Sequence, residues 1–206
     1  MRKLLLAAVL ALATPTTSQA IVSLGLRFGV GLPAGYVYKD SLYKDGISSQ
    51  IPIQLDVMFG APRLQFGLYV GYGVDNINTN TLNAGESAKA ATLRAGLQVT
   101  GEFLDLGLVG LWGGLGTGYE SIQFVLDTPT DSVRTTLRGW EFATLSVGAD
   151  LKFIQLVNVG LYGSAGLGQF GAGTVENSAG SSAGGLGPNK AIHSMFTIGL
   201  RGTLNL

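Results

Sequence analysis

Between residue 21 and the end of the chain, bulky apolar residues alternate with small or polar ones, and this period of two constrains the fold more than any other feature of the sequence. Leu24 and Leu26 share one parity, for example, while Ser23, Gly25 and Arg27 share the other. Successive side chains of a strand point to opposite faces, so the alternation predicts strands that separate an apolar environment from a polar one. The pattern occurs in eight segments, which are residues 22–31, 50–59, 64–74, 91–100, 104–113, 143–150, 157–168 and 192–206.

Charged residues make up only 13% of the chain, and glycine occupies 32 of its 206 positions. Soluble domains contain about 25% charged residues, so few groups are available here to keep a surface hydrated. Beyond residue 20, however, no stretch reaches the roughly 18 consecutive apolar residues of a membrane helix. An apolar chain without apolar helices predicts a sheet that spans a membrane. The formal net charge is zero, and we expect no nucleic acid partner.

The first 20 residues follow a different pattern. Arg2 and Lys3 form a basic start, residues 4–13 are an unbroken apolar run, and a polar stretch ending in small residues follows. These are the three parts of a secretory signal peptide, whose apolar core is too short to stay in the membrane as an anchor. We therefore predict a signal peptide at residues 1–20, export by the Sec pathway of a diderm bacterium, and one barrel domain at residues 21–206.

The polar parity of the predicted strands is rich in glycine and carries isolated charges. A solvated sheet face normally carries many lysines and glutamates, whereas the narrow interior of an eight-stranded barrel has room for few side chains. We therefore predict that the apolar face contacts lipid and that the charges face the lumen, and not that the apolar face forms the core of a soluble barrel or sandwich. The predicted lumen charges are Arg27, Asp56, Arg94, Asp105, Asp150 and Arg201.

The predicted connections alternate between long and short. The long ones are residues 33–47, 75–88, 117–135 and 171–190, and the short ones lie near residues 60–63, 100–102 and 152–155. Short periplasmic turns and long extracellular loops are the layout of outer-membrane barrels, and an even strand count places both termini in the periplasm.

Aromatic residues near the predicted strand ends suggest two interfacial girdles. We expect Phe59, Phe103 and Phe153 in the periplasmic girdle and Tyr72, Trp112, Trp140 and Phe170 in the outer girdle. One irregularity is expected as well. Trp140 and Phe142 have the wrong parity for the sixth strand, which predicts a β-bulge near Glu141.

No catalytic, cofactor-binding or metal-binding set stands out. His193 is the only histidine, and its neighbour Ser194 would face the opposite side of a strand, so a serine–histidine pair is not formed there. We expect His193 to have a structural role in the lumen. Cysteine is absent from the chain.

The lumen charges suggest an ion-pair network that fills the interior. Because the first strand pairs with the second and, on closure, with the eighth, Arg27 can approach Asp56, with Arg201 nearby. Arg94 on the fourth strand is expected to meet Asp105 on the fifth. A fixed plug is the preferred interpretation, since eight strands enclose a space just wide enough for side chains.

In its overall pattern the chain resembles the small eight-stranded outer-membrane barrels of the OmpA-transmembrane, OmpX and OmpW kind. The last segment carries the alternation that such barrels have in their final strand, at Phe196, Ile198, Leu200, Leu204 and Leu206. The resemblance implies a closed antiparallel up-and-down barrel of eight strands. It also implies contact with outer-membrane lipids or lipopolysaccharide, assembly by periplasmic chaperones and the barrel-assembly machinery, and a monomeric state.

Three functions remain open at this stage. The first is a non-enzymatic role in envelope structure or surface interaction through four long extracellular loops. The second is a small pore for small or apolar solutes, which a glycine-rich lumen would permit. The third is a lipid-modifying enzyme, which the single histidine disfavours.

Overall fold

The computed structural model describes residues 21–206 except 40, 62, 80, 81, 83 and 155, so the predicted signal peptide lies outside the described residues. The strands are β1 (Ile21–Tyr38), β2 (Ser41–Leu42), β3 (Ile47–Ala61), β4 (Leu64–Ile77), β5 (Ser87–Asp105), β6 (Val109–Asp127), β7 (Ser132–Ile154), β8 (Val157–Asn177), β9 (Gly180–Gly185) and β10 (Ile192–Asn205). A one-turn helix α1 spans Tyr43–Gly46, and a 3-10 turn spans Gly187–Asn189. In the part of the chain that the structure describes, no helix is long and apolar enough to cross a membrane.

Eight long strands form a closed antiparallel barrel. They are β1, β3, β4, β5, β6, β7, β8 and β10. Each pairs with the next strand of this series, and β10 also pairs with β1, which closes the ring. The two short strands only extend the connections, because β2 pairs with β1 and β9 pairs with β8. Closure gives every barrel strand a partner on both sides, which lipid cannot supply. The predicted eight-stranded up-and-down barrel is confirmed.

The two faces of the wall have opposite character. On β1, Leu26 is 46% exposed on the outside, whereas its neighbour Arg27 is 3% exposed inside. Glycines allow the bulkier lumen residues to fit: a Cβ on Gly148 would lie 2.6 Å from the Trp112 ring. The apolar parity therefore faces outward, as the alternation predicts.

Four predicted segments have wrong boundaries, and each error has the same cause. The predicted fifth strand, 104–113, is divided by a turn in which Gly107 has φ +81°, so β5 ends at Asp105 and β6 begins at Val109. The predicted turn at 100–102 lies within β5, and most residues of the predicted loops 117–135 and 171–190 are in strands. Outside the lipid belt, strand pairing needs only backbone hydrogen bonds, so side-chain alternation does not mark where strands end.

The predicted bulge is confirmed. The β7–β8 register shifts between Glu141 and Ala143. As a result, Trp140 and Phe142 are both exposed on the outside, and Glu141 is buried inside. The bulge thus turns a carboxylate into the lumen without placing an aromatic ring there.

Candidate functional site: the filled lumen

The barrel has two distinct ends. The short-turn end carries the β3–β4, β5–β6 and β7–β8 turns together with both described termini, and the long-loop end carries the other connections. A cavity of about 590 Å³ opens at the short-turn end. Its polar lining includes Arg63, Gln65, Glu102, Lys152 and Asn205. We call this cavity the vestibule.

The floor of the vestibule is a buried Trp112 held by charges. Arg201 lies over the indole ring with its guanidinium carbon 4.0 Å from the ring centroid, a cation–π contact. The indole N–H donates to Asp150 Oδ1 at 3.0 Å, and Arg201 Nη1 lies 3.2 Å from the other carboxylate oxygen. Asp150 therefore bridges Trp112 and Arg201 inside the barrel.

A second layer lies around Arg27. Its Nε is 2.8 Å from Asp56 Oδ2, and its Nη2 donates to Gln98 Oε1 at 3.1 Å. Gln54 donates to the remaining Asp56 oxygen at 2.7 Å. Both partners of the ion pair are almost fully buried. Buried charges persist only when they are paired and hydrogen-bonded in this way.

A third layer joins residues from four strands. Arg94 Nη2 lies 3.5 Å from Glu120 Oε1, and Arg94 Nε lies 3.9 Å from Glu141 Oε2. His193 Nε2 lies 2.9 Å from the other Glu120 oxygen. Between this layer and Arg27, a cavity of about 40 Å³ remains, bordered also by Tyr69. A cavity holds a water molecule from about 10–15 Å³ of such volume, so this space admits roughly three waters.

An apolar plug closes the long-loop end. Helix α1 places Tyr43 inside the barrel mouth, where its ring centroid lies 5.3 Å from that of His193. Phe170 stacks on the imidazole with centroids 4.3 Å apart and an interplanar angle of 16°. We define the plug as the buried set Val37, Tyr43, Ile47, Ala90, Ile122, Leu137, Phe170 and Met195.

A buried carboxylate beside the plug is hydrogen-bonded by two neighbours. Asp75 accepts hydrogen bonds from Gln50 Nε2 at 2.7 Å and from Thr92 Oγ1 at 2.8 Å, and all three residues are buried. The described side chains thus fill the barrel from the floor of the vestibule to the long-loop end, with a polar part below and an apolar part above.

The structure places five of the six predicted lumen charges inside the barrel, namely Arg27, Asp56, Arg94, Asp150 and Arg201. Asp105 is the exception: its side chain is 49% exposed at the short-turn rim, 2.9 Å from Lys152. The predicted Arg94–Asp105 pair is wrong because Arg94 is in register with Glu120, well away from the end of β5. The hydrogen bonds that Asp105 accepts from Lys152 and from the Gly107 backbone lower the pKa of this carboxyl.

Two of the predicted girdle residues are wrong. Trp112 and Phe170 are buried in the lumen, with Trp112 near the short-turn end and Phe170 in the plug. Trp112 was assigned outward because the predicted strand 104–113 ran through the turn at Gly107, which changes the parity. Phe170 was assigned outward because it lay beyond the end of the predicted strand 157–168. The other five girdle residues are exposed on the outer surface: Phe59, Phe103, Phe153, Tyr72 and Trp140.

Sequence reasoning missed Tyr43, Asp75, Glu120 and Glu141. A signal existed for Glu120, because Gly114, Gly116 and Gly118 share its parity, and glycine marks the lumen face of the predicted strands. No such signal marked Tyr43, since it enters the barrel from a connection and not from a strand.

Beyond the barrel mouth, β6 and β7 continue as a ribbon that β8 and β9 join. A four-residue turn, 128–131, links β6 to β7. Asp131 Oδ1 accepts from the Ser132 backbone N–H at 2.8 Å and from the Ser178 backbone N–H at 3.2 Å, which ties this turn to the β8–β9 turn. These hydrogen bonds lower the pKa of Asp131. Trp140 of β7 pairs with Tyr119 of β6 and Gln169 of β8. We call β9 and the parts of β6, β7 and β8 on the long-loop side of these three residues the outer ribbon.

A closed antiparallel barrel with an apolar outside, a charged inside and no open edge among the barrel strands defines a small outer-membrane β-barrel. No protein-family model matches the sequence, and no curated protein matches it.

Solved outer-membrane barrels share the fold at low sequence identity. The structure is similar to a major outer membrane protein from Thermus thermophilus, with a TM-score of 0.59 and 16% identity over 91% of this chain and 99% of that one. For the outer membrane protein OprG from Pseudomonas aeruginosa, the TM-score is 0.55 with 14% identity over 91% and 97%. For the outer membrane protease OmpT from Escherichia coli, it is 0.52 with 10% identity over 95% and 100%.

Proposed function

We propose that this protein is a non-conducting, non-enzymatic outer-membrane barrel that anchors and presents the outer ribbon at the cell surface. The observation that carries the proposal is the filled lumen. The vestibule ends at Trp112, a cavity of about 40 Å³ lies above it, and the apolar plug closes the long-loop end. A channel for solutes needs a continuous passage, which the described side chains do not leave.

Burial of the histidine supports a non-enzymatic role. A general base must come within hydrogen-bond reach of its substrate. His193 is covered by Tyr43 and stacked on Phe170, and its Nε2 is engaged with Glu120. The imidazole thus has a packing role, and the likeness to OmpT concerns the fold.

The outer ribbon supports a role in surface interaction. β6 continues beyond Tyr119 as far as Asp127, which is roughly 26 Å along the strand at ~3.3 Å per residue. Its two turns are held together by Asp131. A ribbon of paired strands gives a surface partner a more ordered target than a flexible loop would.

Planar-bilayer recording tests the closed lumen. We expect the folded wild-type barrel to give no stable conductance steps, because ion pairs and the plug occupy its interior. Large, stable open channels would contradict this proposal and would favour the alternative of a passage for small solutes. The control is heat-modifiable gel mobility of the same sample, which reports that the barrel is folded and inserted.

Single-cysteine labelling tests which end faces the outside. The chain has no cysteine, so Ser181→Cys in β9 and Ala61→Cys at the β3–β4 turn each introduce a unique thiol. Both sites are exposed. On intact cells we expect a membrane-impermeant maleimide to label S181C and to leave A61C unlabelled until the outer membrane is permeabilised. The reverse pattern would place the outer ribbon in the periplasm and refute the proposed presentation.

A further inference from the structure

The outside of the barrel carries a polar groove of about 360 Å³ just beyond the aromatic girdle. Strands β5, β6, β7 and β8 all contribute to it. Its lining includes Leu93, Ser121, Arg134, Arg138 and Glu176. This groove is unusual because the rest of the outer wall toward the short-turn end is apolar.

The height of the groove is set by two aromatic rings. Tyr119 and Trp140 pack edge to face with centroids 6.2 Å apart on the outer surface. Such rings lie at the level of lipid headgroups. Arg138 lies two residues further along the same face of β7, or about 7 Å toward the long-loop end. Its guanidinium is therefore at the height where lipid phosphates are found.

The charge of the groove is positive. Arg134 lies 3.9 Å from Glu176, and both side chains are about half exposed, so the pair is weak and solvated. Lys89, which is exposed on the neighbouring part of β5, and Arg138 form no ion pair with any residue that the structure describes. Among the residues that line the groove, two cations thus face one carboxylate.

We infer that this groove binds the phosphate headgroup of an anionic lipid of the outer leaflet. Arginine presents a planar fork of donors that matches phosphate oxygens, and it binds phosphate more specifically than a diffuse charge would. Ser121 and Gln123 supply neutral donors between the cations. The occupant is a lipid and not a soluble anion because Tyr72 and Leu93 on the membrane side of the groove can contact its acyl chains.

The inference goes beyond the proposed function, since it holds whether or not the lumen conducts. The protein itself contains a fluorescent residue that can report lipid bound at the groove. The chain has two tryptophans, and Trp140 lies beside the groove on the outer surface while Trp112 is buried in the lumen. Lipids brominated on the acyl chain quench tryptophan fluorescence on contact, so quenching in the intact barrel reports lipid at Trp140.

The experiment compares brominated phosphatidic acid with brominated phosphatidylcholine as quenchers, for the full barrel in vesicles of four parts phosphatidylcholine to one part phosphatidic acid. We expect phosphatidic acid to associate at least about fivefold more strongly with the wild type, as expected for one cation near an anionic lipid surface. In the double variant Arg134→Gln, Arg138→Gln, the two lipids are expected to quench the tryptophan fluorescence nearly equally. Glu176→Gln is expected to increase the preference, because it releases Arg134.

Arg63→Gln serves as the matched control, since it removes a cation at the exposed short-turn end and should leave the preference unchanged. Equal quenching by the two lipids in the wild type, or an unaltered preference in the double variant, would overturn the inference. A preference abolished by inorganic phosphate, but not by sodium chloride of the same ionic strength, would assign the groove to the free anion and would also overturn it. Heat-modifiable mobility of every variant verifies that the barrel is folded.

Discussion

Replacing Asp56 with alanine is expected to lower the free energy of unfolding by about 3–5 kcal/mol, the usual cost of removing one partner of a buried ion pair. The variant leaves the Arg27 guanidinium in the lumen without the carboxylate that now lies 2.8 Å away. The adjoining cavity of about 40 Å³ admits only a few water molecules, which would replace the carboxylate incompletely. Urea unfolding of the barrel in phosphatidylcholine vesicles, followed by tryptophan fluorescence, measures the change.

Two further variants isolate the cause. Asp105→Ala removes a carboxylate that is half exposed and paired with Lys152, so we expect no measurable change in unfolding. The double variant Arg27→Met, Asp56→Leu removes both charges and should recover most of the lost stability, since a buried pair is often replaceable by apolar residues of similar volume. If Asp56→Ala unfolds like Asp105→Ala, the Arg27–Asp56 pair does not contribute as described.

The second large effect is expected in the plug. Phe170→Ala should cost about 3–5 kcal/mol, because it empties a fully buried site beside Tyr43 and His193. The loss should also loosen helix α1, which is held in the mouth by Tyr43. Lys44 follows Tyr43 and is exposed, so trypsin cleavage at Lys44 is expected to accelerate severalfold. The unfolding free energy and the cleavage rate are measured on the same folded preparation.

Phe142→Ala is the matched control for the plug. Phe142 is exposed on the outside of the same barrel and lies at the bulge, so its removal changes lipid contact and not the packing around Tyr43. We expect cleavage at Lys44 to stay at the wild-type rate in this variant. Cleavage that accelerates equally in both variants would mean that α1 responds to global stability and that the plug is not a local structure.

The lipid-facing pattern could be predicted from the sequence for a local reason. A strand between lipid and lumen must alternate in steps of two, so the face of Leu26 and the opposite face of Arg27 can be assigned without knowing any partner. The bulge near Glu141 was predictable on the same ground, because Trp140 and Phe142 break the parity. The even number of strands and the closure of the sheet followed from these local assignments.

The partners inside the lumen could not be predicted in this way. Glu120 and His193 lie 73 positions apart in the chain and meet because the register and tilt of β6 and β10 bring them to one height. Arg94 was assigned to Asp105 by strand order alone, yet the β5–β6 register places it opposite Glu120. Register depends on turn lengths, and the turn at Gly107 was not recognised within a continuous alternation.

From the sequence by itself, we could therefore expect an exported, membrane-spanning barrel, its number of strands, and which side chains face lipid. Each of these follows from local patterns, in which a residue is compared only with its near neighbours in the chain. Only the tertiary structure decided that Trp112 and Phe170 lie inside, that Tyr43 closes the mouth, and that Arg134 and Arg138 form a groove beside Trp140. These features depend on strand register and on how a connection folds back, and both are set by contacts between residues far apart in the chain.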